Sequence, residues 1–192
     1  SVMVPKGSGA EEQKRAAEMA AIASEAKAFV ATLLGTAPDV PLRIVTVQRG
    51  GGFSGGGTIF VDEGALRRSK IDSQTAMGIA DAVAKVWLGN AIAVTGDGFG
   101  VIREGLTKFI ATQFVERKYG KDAADVERLR QRTAYSAIAK RDAPLNLVSP
   151  LDDYYYAAVA NKGAMIWRLL SRRAGQDEMF SGIRAQMADK DL

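Results

Sequence analysis

The sequence predicts an α+β fold in which a small mixed or antiparallel sheet precedes a mainly helical lobe. Residues 41–48 and 58–61 are rich in β-branched side chains, and the first of these segments alternates apolar with polar residues, which is typical of a half-buried strand. From about residue 72, apolar residues recur at steps of three and four, as in amphipathic helices. At 192 residues the chain can bury one core, so we expect a single domain over residues 11–192.

The N-terminal region divides into an arm and a helix. Residues 1–10 contain a proline and two glycines without an apolar pattern, which predicts a flexible arm. Residues 11–34 carry an apolar stripe of helical spacing, formed by Met19, Ile22, Ala26, Phe29 and Leu33. Gly35, with Pro38 beyond it, predicts the end of that helix. This helix and the strands form the first part of the domain, residues 11–62.

Six glycines lie between Gly50 and Gly57, around Phe53 and Ser54. Such a segment allows positive φ angles and the close approach of another backbone. Three interpretations are open: a flexible connection, the rim of a peptide groove, and a phosphate cradle. The last is disfavoured because no Gly-Lys-Ser/Thr follows and no helix begins directly after the glycines.

The second part of the domain, residues 72–192, is predicted to be the helical lobe. Asp72 or Ser73 can cap its first helix, and Gly89 and Asn90 are placed to end it. Gly120 and Gly175 separate later helices. The apolar spacing predicts helices over about 72–88, 101–118, 122–137, 155–173 and 176–188.

Composition limits the partners. The formal charge of +4 is modest, and the basic clusters at 67–70, 128–132 and 172–173 lack interleaved aromatic residues. We therefore interpret them as solvated helix faces and expect no nucleic acid partner. No apolar run reaches the roughly 20 residues of a membrane span, so we expect no membrane insertion. The chain has no histidine and no cysteine, which removes the commonest metal ligands.

Four short motifs occur in a fixed order. Trp87-Leu88-Gly89-Asn90 ends the first helix of the lobe, and eighteen residues separate Lys85 from Glu104, which is followed by Gly105. Asn161-Lys162-Gly163-Ala164 opens a later helix, and the strand–glycine loop–strand at 42–61 precedes all three. In this order and spacing they resemble the gluzincin zinc peptidases of the aminopeptidase N type, with a His-Glu-x-x-His site and a third ligand in an Asn-Glu-Gly segment. The resemblance covers about residues 41–188 and implies a thermolysin-like domain.

The metal-binding positions depart from that family. By the resemblance, the two histidines are replaced by Asp81 and Lys85, and the general-base glutamate by Ala82. The tyrosine that supports the tetrahedral intermediate is replaced by Ala160, and only Glu104 remains. Zinc needs about three ligands with free lone pairs, and Ala82 cannot take a proton from water. We therefore expect a domain without catalytic residues, metal or cofactor.

The substitutions suggest what replaced the metal. Asp81 and Lys85 stand one helical turn apart, in the favourable acid-to-base order. If the family geometry is kept, Glu104 lies beside them, which predicts an Asp81–Lys85–Glu104 salt-bridge cluster with the ammonium in place of zinc. In the alternative, Lys85 extends to solvent and Glu104 pairs with Lys108.

The resemblance also suggests a substrate groove. We expect its rim at Gly52, Phe53, Ser54 and Gly55, where the family's exopeptidase glutamate has no counterpart. Tyr155, in the run 154–156, either lines this groove or packs at a helix start. An extended peptide or protein segment is expected to pair with an edge strand at 57–61.

The leading functional hypothesis is a non-catalytic peptidase-like domain that binds a peptide or protein or braces neighbouring domains of a longer chain. One alternative is an active hydrolase that uses Asp81 and Glu104, with Asp97, around a different metal or none. Another is a purely structural module. The residues indicate no compartment; related peptidase-like proteins are often exported, which favours a periplasmic location by resemblance alone.

Overall fold

A computed structural model describes residues 1–89 and 91–189 of the chain. Asn90, predicted to help end a helix, and the last three residues of the predicted domain lie outside the described residues. Within them the structure is 63% helical with a small mixed sheet, which confirms the α+β class and the mainly helical character. Among these residues no helix combines the length and the apolarity that a membrane span requires.

The sheet has four strands in the described part of the chain, in the order β1-β2-β4-β3. β1 pairs in parallel with β2, and β2 in parallel with β4, whereas β3 and β4 are antiparallel. The strands are β1 (Val2–Met3), β2 (Arg43–Val47), β3 (Phe53–Gly55) and β4 (Thr58–Asp62).

Two expectations about the strands are corrected. The edge strand expected at 57–61 is wrong, because β4 lies between β2 and β3. The physical reason is a tight two-residue hairpin: Gly56 and Gly57 have φ angles of 54° and 76°, which fold Phe53–Gly55 back onto β4. The arm predicted at residues 1–10 is also held at its start, where Val2 is in register with Ile44. β3 and β1 are therefore the outer strands.

The helices begin and end close to the predicted residues. Asp72 caps α2 by accepting a hydrogen bond of 2.8 Å from the Thr75 backbone N–H. The α-helices are α1 (Ala10–Leu34), α2 (Ser73–Trp87), α3 (Thr107–Tyr119), α4 (Lys121–Ser136), α5 (Gly163–Ala174) and α6 (Gln176–Asp189), with short 3₁₀ helices at Glu63–Arg67 and Ala139–Arg141.

Two helices of the lobe begin with wider turns. Val101–Leu106, the first π segment, leads into α3, and Ala157–Lys162, the second π segment, leads into α5. The two segments cross backbone to backbone, since a Cβ added at Gly105 would lie 2.9 Å from the Val159 carbonyl oxygen and 3.0 Å from Gly163 Cα. Only glycine allows this approach.

The main core joins the sheet to α1, α2 and α3. Trp87 of α2 is fully buried in it, and its indole N–H donates to the Gly35 carbonyl at 3.2 Å. A second, smaller cluster lies under the loop after α4 and contains Ile138, Val148 and Tyr155. α2 lies between the β3–β4 hairpin on one side and α3 on the other.

Candidate functional site

α2 and the first π segment bring three charged side chains together. The Lys85 ammonium lies 2.8 Å from Asp81 Oδ2 and 2.7 Å from Glu104 Oε2. The exposed fractions of the three side chains are 21%, 24% and 12% respectively, so the cluster is largely removed from solvent. The predicted salt-bridge cluster is confirmed, and the alternative in which Lys85 extends to solvent is wrong.

The other carboxylate oxygens also have partners. The Thr107 hydroxyl donates to Asp81 Oδ1 at 2.7 Å, and Arg103 Nε lies 3.8 Å from Glu104 Oε1. Thr107 is fully buried one helical turn after Arg103, whose carbonyl it also contacts at 2.8 Å. All four carboxylate oxygens of the cluster are therefore engaged by cations or donors.

The cluster keeps its lysine charged. Burial by itself lowers the pKa of Lys85, but Asp81 and then Glu104 raise it more, and the pKa of this ammonium lies well above its usual value. Lys108 behaves differently, because burial outweighs the pull of Asp81 and its pKa is lowered. At neutral pH Lys85 is therefore protonated and has no lone pair to offer to a metal ion.

The side chains at these positions do not fit a zinc ion. Zinc requires about three ligand atoms with lone pairs and an open water position, whereas an ammonium lies between the two carboxylates here. Within residues 1–89 and 91–189, no three His, Cys, Asp or Glu side chains form a group that could hold a metal, so Asp97 does not join Asp81 and Glu104. No reaction step through a metal follows from this donor set.

Two further predicted positions lie in apolar surroundings. Ala82, where the family has its general base, is buried on α2 next to Asp81. Ala160 is buried in the second π segment, which packs on the first. Neither side chain can exchange a proton, so neither contributes acid–base chemistry.

A cavity of about 310 Å³ lies between the β3–β4 hairpin and α2. Gly52, Phe53 and Ser54 line it, as the groove prediction expected, but Gly55 does not. Tyr155 does not line it either: it is only 6% exposed and packs in the second cluster, which favours the packing interpretation. The glycine loop thus forms one wall of a cavity whose other wall carries the charge cluster.

Apolar and charged side chains share the lining of the cavity, which also includes Asp62 and Arg68. Phe53 is 57% exposed and stacks on Phe60, with ring centroids 4.3 Å apart. Asp81, Ala82 and Lys85 line the α2 side. A pocket that combines apolar side chains with a few charged groups is a usual form of binding site.

The sequence interpretation missed the α2 residues that complete this wall. They share the helical spacing of Asp81 and Lys85, and this periodicity could have found them. Gly78 is the most informative, because a Cβ there meets nothing within 4 Å and points to open space. The missed lining residues of α2 are Gln74, Thr75, Gly78 and Ile79.

The chain matches no protein-family model, and a search of curated proteins finds no match.

Proposed function

We propose that the chain is a thermolysin-like domain of the aminopeptidase N type that has lost its zinc and its general base and binds a peptide or protein segment. One observation carries the proposal: the Lys85 ammonium lies 2.8 and 2.7 Å from Asp81 and Glu104, at the point where the resemblance expects a divalent cation. A domain that has lost its zinc needs another positive charge to balance these two carboxylates, and Lys85 provides it.

The contact between two of the resembling motifs supports the same proposal. Gly105 follows Glu104, and Gly163 follows Lys162 of the Asn-Lys-Gly-Ala motif; a Cβ at either glycine would lie 3.0 Å from the Cα of the other. Motifs 58 residues apart in the chain therefore meet beside the charge cluster. The resemblance depends on the order and spacing of the motifs in the sequence, so this spatial contact supports it separately.

Hydrolysis by the family's route is not part of the proposal. Ala82 offers no base, and general-base catalysis typically contributes about 10²–10⁴-fold. The alternative hydrolase would need Asp81 and Glu104 free to act, whereas both are held by Lys85. Metal analysis and a peptidase assay on the purified protein test this alternative directly.

The expected ligand is an extended segment with an apolar or aromatic side chain. The stacked Phe53 and Phe60 offer a partner for such a side chain in the cavity. The outer side of β3 offers backbone groups to a neighbouring extended chain, in place of the edge first expected at 57–61.

A variant that fills the cavity tests this binding. Gly78→Leu adds a side chain into the open space on α2, and Gly182→Leu adds the same side chain at an equally open helix position on α6, away from the cavity. Peptides selected from a random displayed library on the wild type should bind the Gly182→Leu variant with unchanged affinity and lose binding to Gly78→Leu. If no peptide is selected, or if Gly78→Leu binds equally well, peptide binding at this cavity is ruled out.

Restoring the metal site tests the ancestry separately. The triple variant Asp81→His, Ala82→Glu and Lys85→His, with Glu104 unchanged, should bind zinc if the family geometry is kept. Adding Glu104→Gln should weaken that affinity. A triple variant that is folded by circular dichroism but binds no zinc would count against the resemblance, whatever the peptide experiment shows.

A further inference from the structure

A second cavity, of about 230 Å³, lies between α4 and α5 on a surface that the charge cluster and the β3–β4 hairpin do not reach. We call it the arginine groove. It brings together residues of two basic clusters, 128–132 and 172–173, which were predicted to be solvated helix faces. Its lining residues are Arg128, Gln131 and Arg132 of α4, and Met165, Arg168, Leu169 and Arg172 of α5.

The charges of this groove are not balanced. Among the residues that the structure describes, only Arg128 of the groove is ion-paired, with Glu116 and with Asp125 at 2.8 Å. In the part of the chain that the structure describes, no carboxylate lies within ion-pair distance of Arg132, Arg168 or Arg172. The four guanidinium groups of the groove therefore have two carboxylate partners among the described residues, and both of these pair with Arg128.

Burial makes this imbalance costly at Arg168, whereas Arg132 and Arg172 are exposed. Arg168 is half-buried, and burial first, then the charges of Arg128 and Arg172, lowers the pKa of its guanidinium against the opposite effect of Asp125 and Glu116. Arg128 Nε is buried without a hydrogen-bond partner among the described residues. Unpaired guanidinium groups side by side add little to the stability of a protein, unless an anion pairs with them.

We propose that the arginine groove binds a phosphate group, either free or carried by a small organic molecule. Guanidinium groups present forked donors that match phosphate oxygens two at a time. A dianionic, tetrahedral group can accept from Arg132, Arg168 and Arg172 together, whereas one carboxylate has two oxygens and one charge. The cavity is smaller than the roughly 300–1,000 Å³ of drug-sized sites, which fits a small group.

Titration with inorganic phosphate at constant ionic strength, with chloride as the control anion, tests the proposal. Binding is followed by thermal stabilisation and by NMR shifts of the arginine Nε–H signals. Wild type should bind phosphate, and Arg168→Gln and Arg172→Gln should each weaken binding about tenfold or more. Arg173→Gln removes an equal charge from a position on α5 outside the groove and should leave the affinity unchanged. Because Arg172 is exposed, its variant should keep the fold, which circular dichroism checks.

Two further arms identify the source of the phosphate. Phenyl phosphate should bind at least as tightly as inorganic phosphate, because Met165 and Leu169 offer apolar contact to the carrier. Equal affinities would indicate free phosphate, and tighter binding of the ester would indicate a carried group. If neither binds at millimolar concentration, or if all three arginine variants bind alike, the proposal is overturned. Binding of tetraglutamate without phosphate binding would also overturn it, in favour of an acidic protein segment.

Discussion

The charge cluster and the arginine groove both hold cations on helix faces, but they balance these charges differently. In the cluster, Lys85 has a carboxylate on each side, at 2.8 and 2.7 Å. In the groove, Arg168 and Arg172 stand one turn apart on α5, and no carboxylate of the described residues lies within ion-pair distance of either. A cation that is fully paired stabilises the protein itself, whereas one that is unpaired is available to a ligand. The two regions should therefore respond in opposite directions when a positive charge is removed.

Replacing Lys85 should have the largest effect. Lys85→Met leaves Asp81 and Glu104 facing each other without a cation, and the free energy of unfolding should fall by about 3 kcal/mol, the lower end for a broken buried pair because the side chains keep some exposure. Thermal and denaturant unfolding measure it. Lys118→Met breaks the more exposed pair with Glu25 and should cost less than about 1 kcal/mol. An unchanged melting temperature for Lys85→Met would show that the cluster contributes nothing.

Alkaline pH should remove the same interaction without a mutation. The pKa of Lys85 is raised in the folded protein, so its stabilisation is fully present below the unfolded value of about 10.4. Above that pH the unfolded chain loses the proton first, and the stabilisation is lost as the pH rises towards the folded pKa. The difference in unfolding free energy between wild type and Lys85→Met should therefore shrink above about pH 10.4. Tyrosines and other lysines titrate in wild type and variant alike, so their effects cancel in this difference. A constant difference across that range would therefore contradict the assignment of the interaction to Lys85.

Separating the two π segments should move Glu104 away from Lys85. Gly105→Ala puts a Cβ against the Val159 carbonyl oxygen and Gly163, both backbone atoms that cannot rotate away. We expect a loss of about 1–3 kcal/mol in unfolding free energy, as for overpacked cores. Gly182→Ala, at an open position in α6, should instead be neutral or gain up to about 1 kcal/mol. If Gly105→Ala is as stable as that control, the crossing does not hold the cluster in place.

Removing a charge from the groove should have the smallest effect, of opposite sign. Arg172→Gln relieves repulsion with Arg168 one turn away, and the unfolding free energy at low salt should rise by about 0.2–0.5 kcal/mol. Raising the salt concentration should abolish this gain by screening. Arg173→Gln should change little under both conditions. A clear destabilisation by Arg172→Gln would mean that this arginine has an acidic partner, and the contrast between the two regions would fail.

The sequence predicted those parts of the fold and site that depend on local spacing. The helix and strand periodicities gave the helices of the lobe to within a few residues, and the i,i+4 relation placed Asp81 beside Lys85. Glu104 could be added to them only because the spacing resembled that of a known family. The cluster was predictable because a lysine is the only cation among the three aligned positions, and it can pair with both carboxylates.

The parts that were missed depend on contacts between distant residues. β1 is two residues long and pairs with β2 more than 40 residues away, which no local pattern indicates. β3 lies in a glycine-rich segment that has no strand pattern of its own. It is a strand because it pairs with β4. The arginine groove depends on the packing of α4 against α5. The contact between Gly105 and Gly163 likewise has no local sequence pattern that predicts it.

The short outer strand β3 limits how the proposed ligand can be held. With three residues, Phe53–Gly55, it can offer an added chain only about two backbone hydrogen bonds, each contributing roughly 1 kcal/mol. Nearly all of the affinity must then come from the side chain that enters beside Phe60.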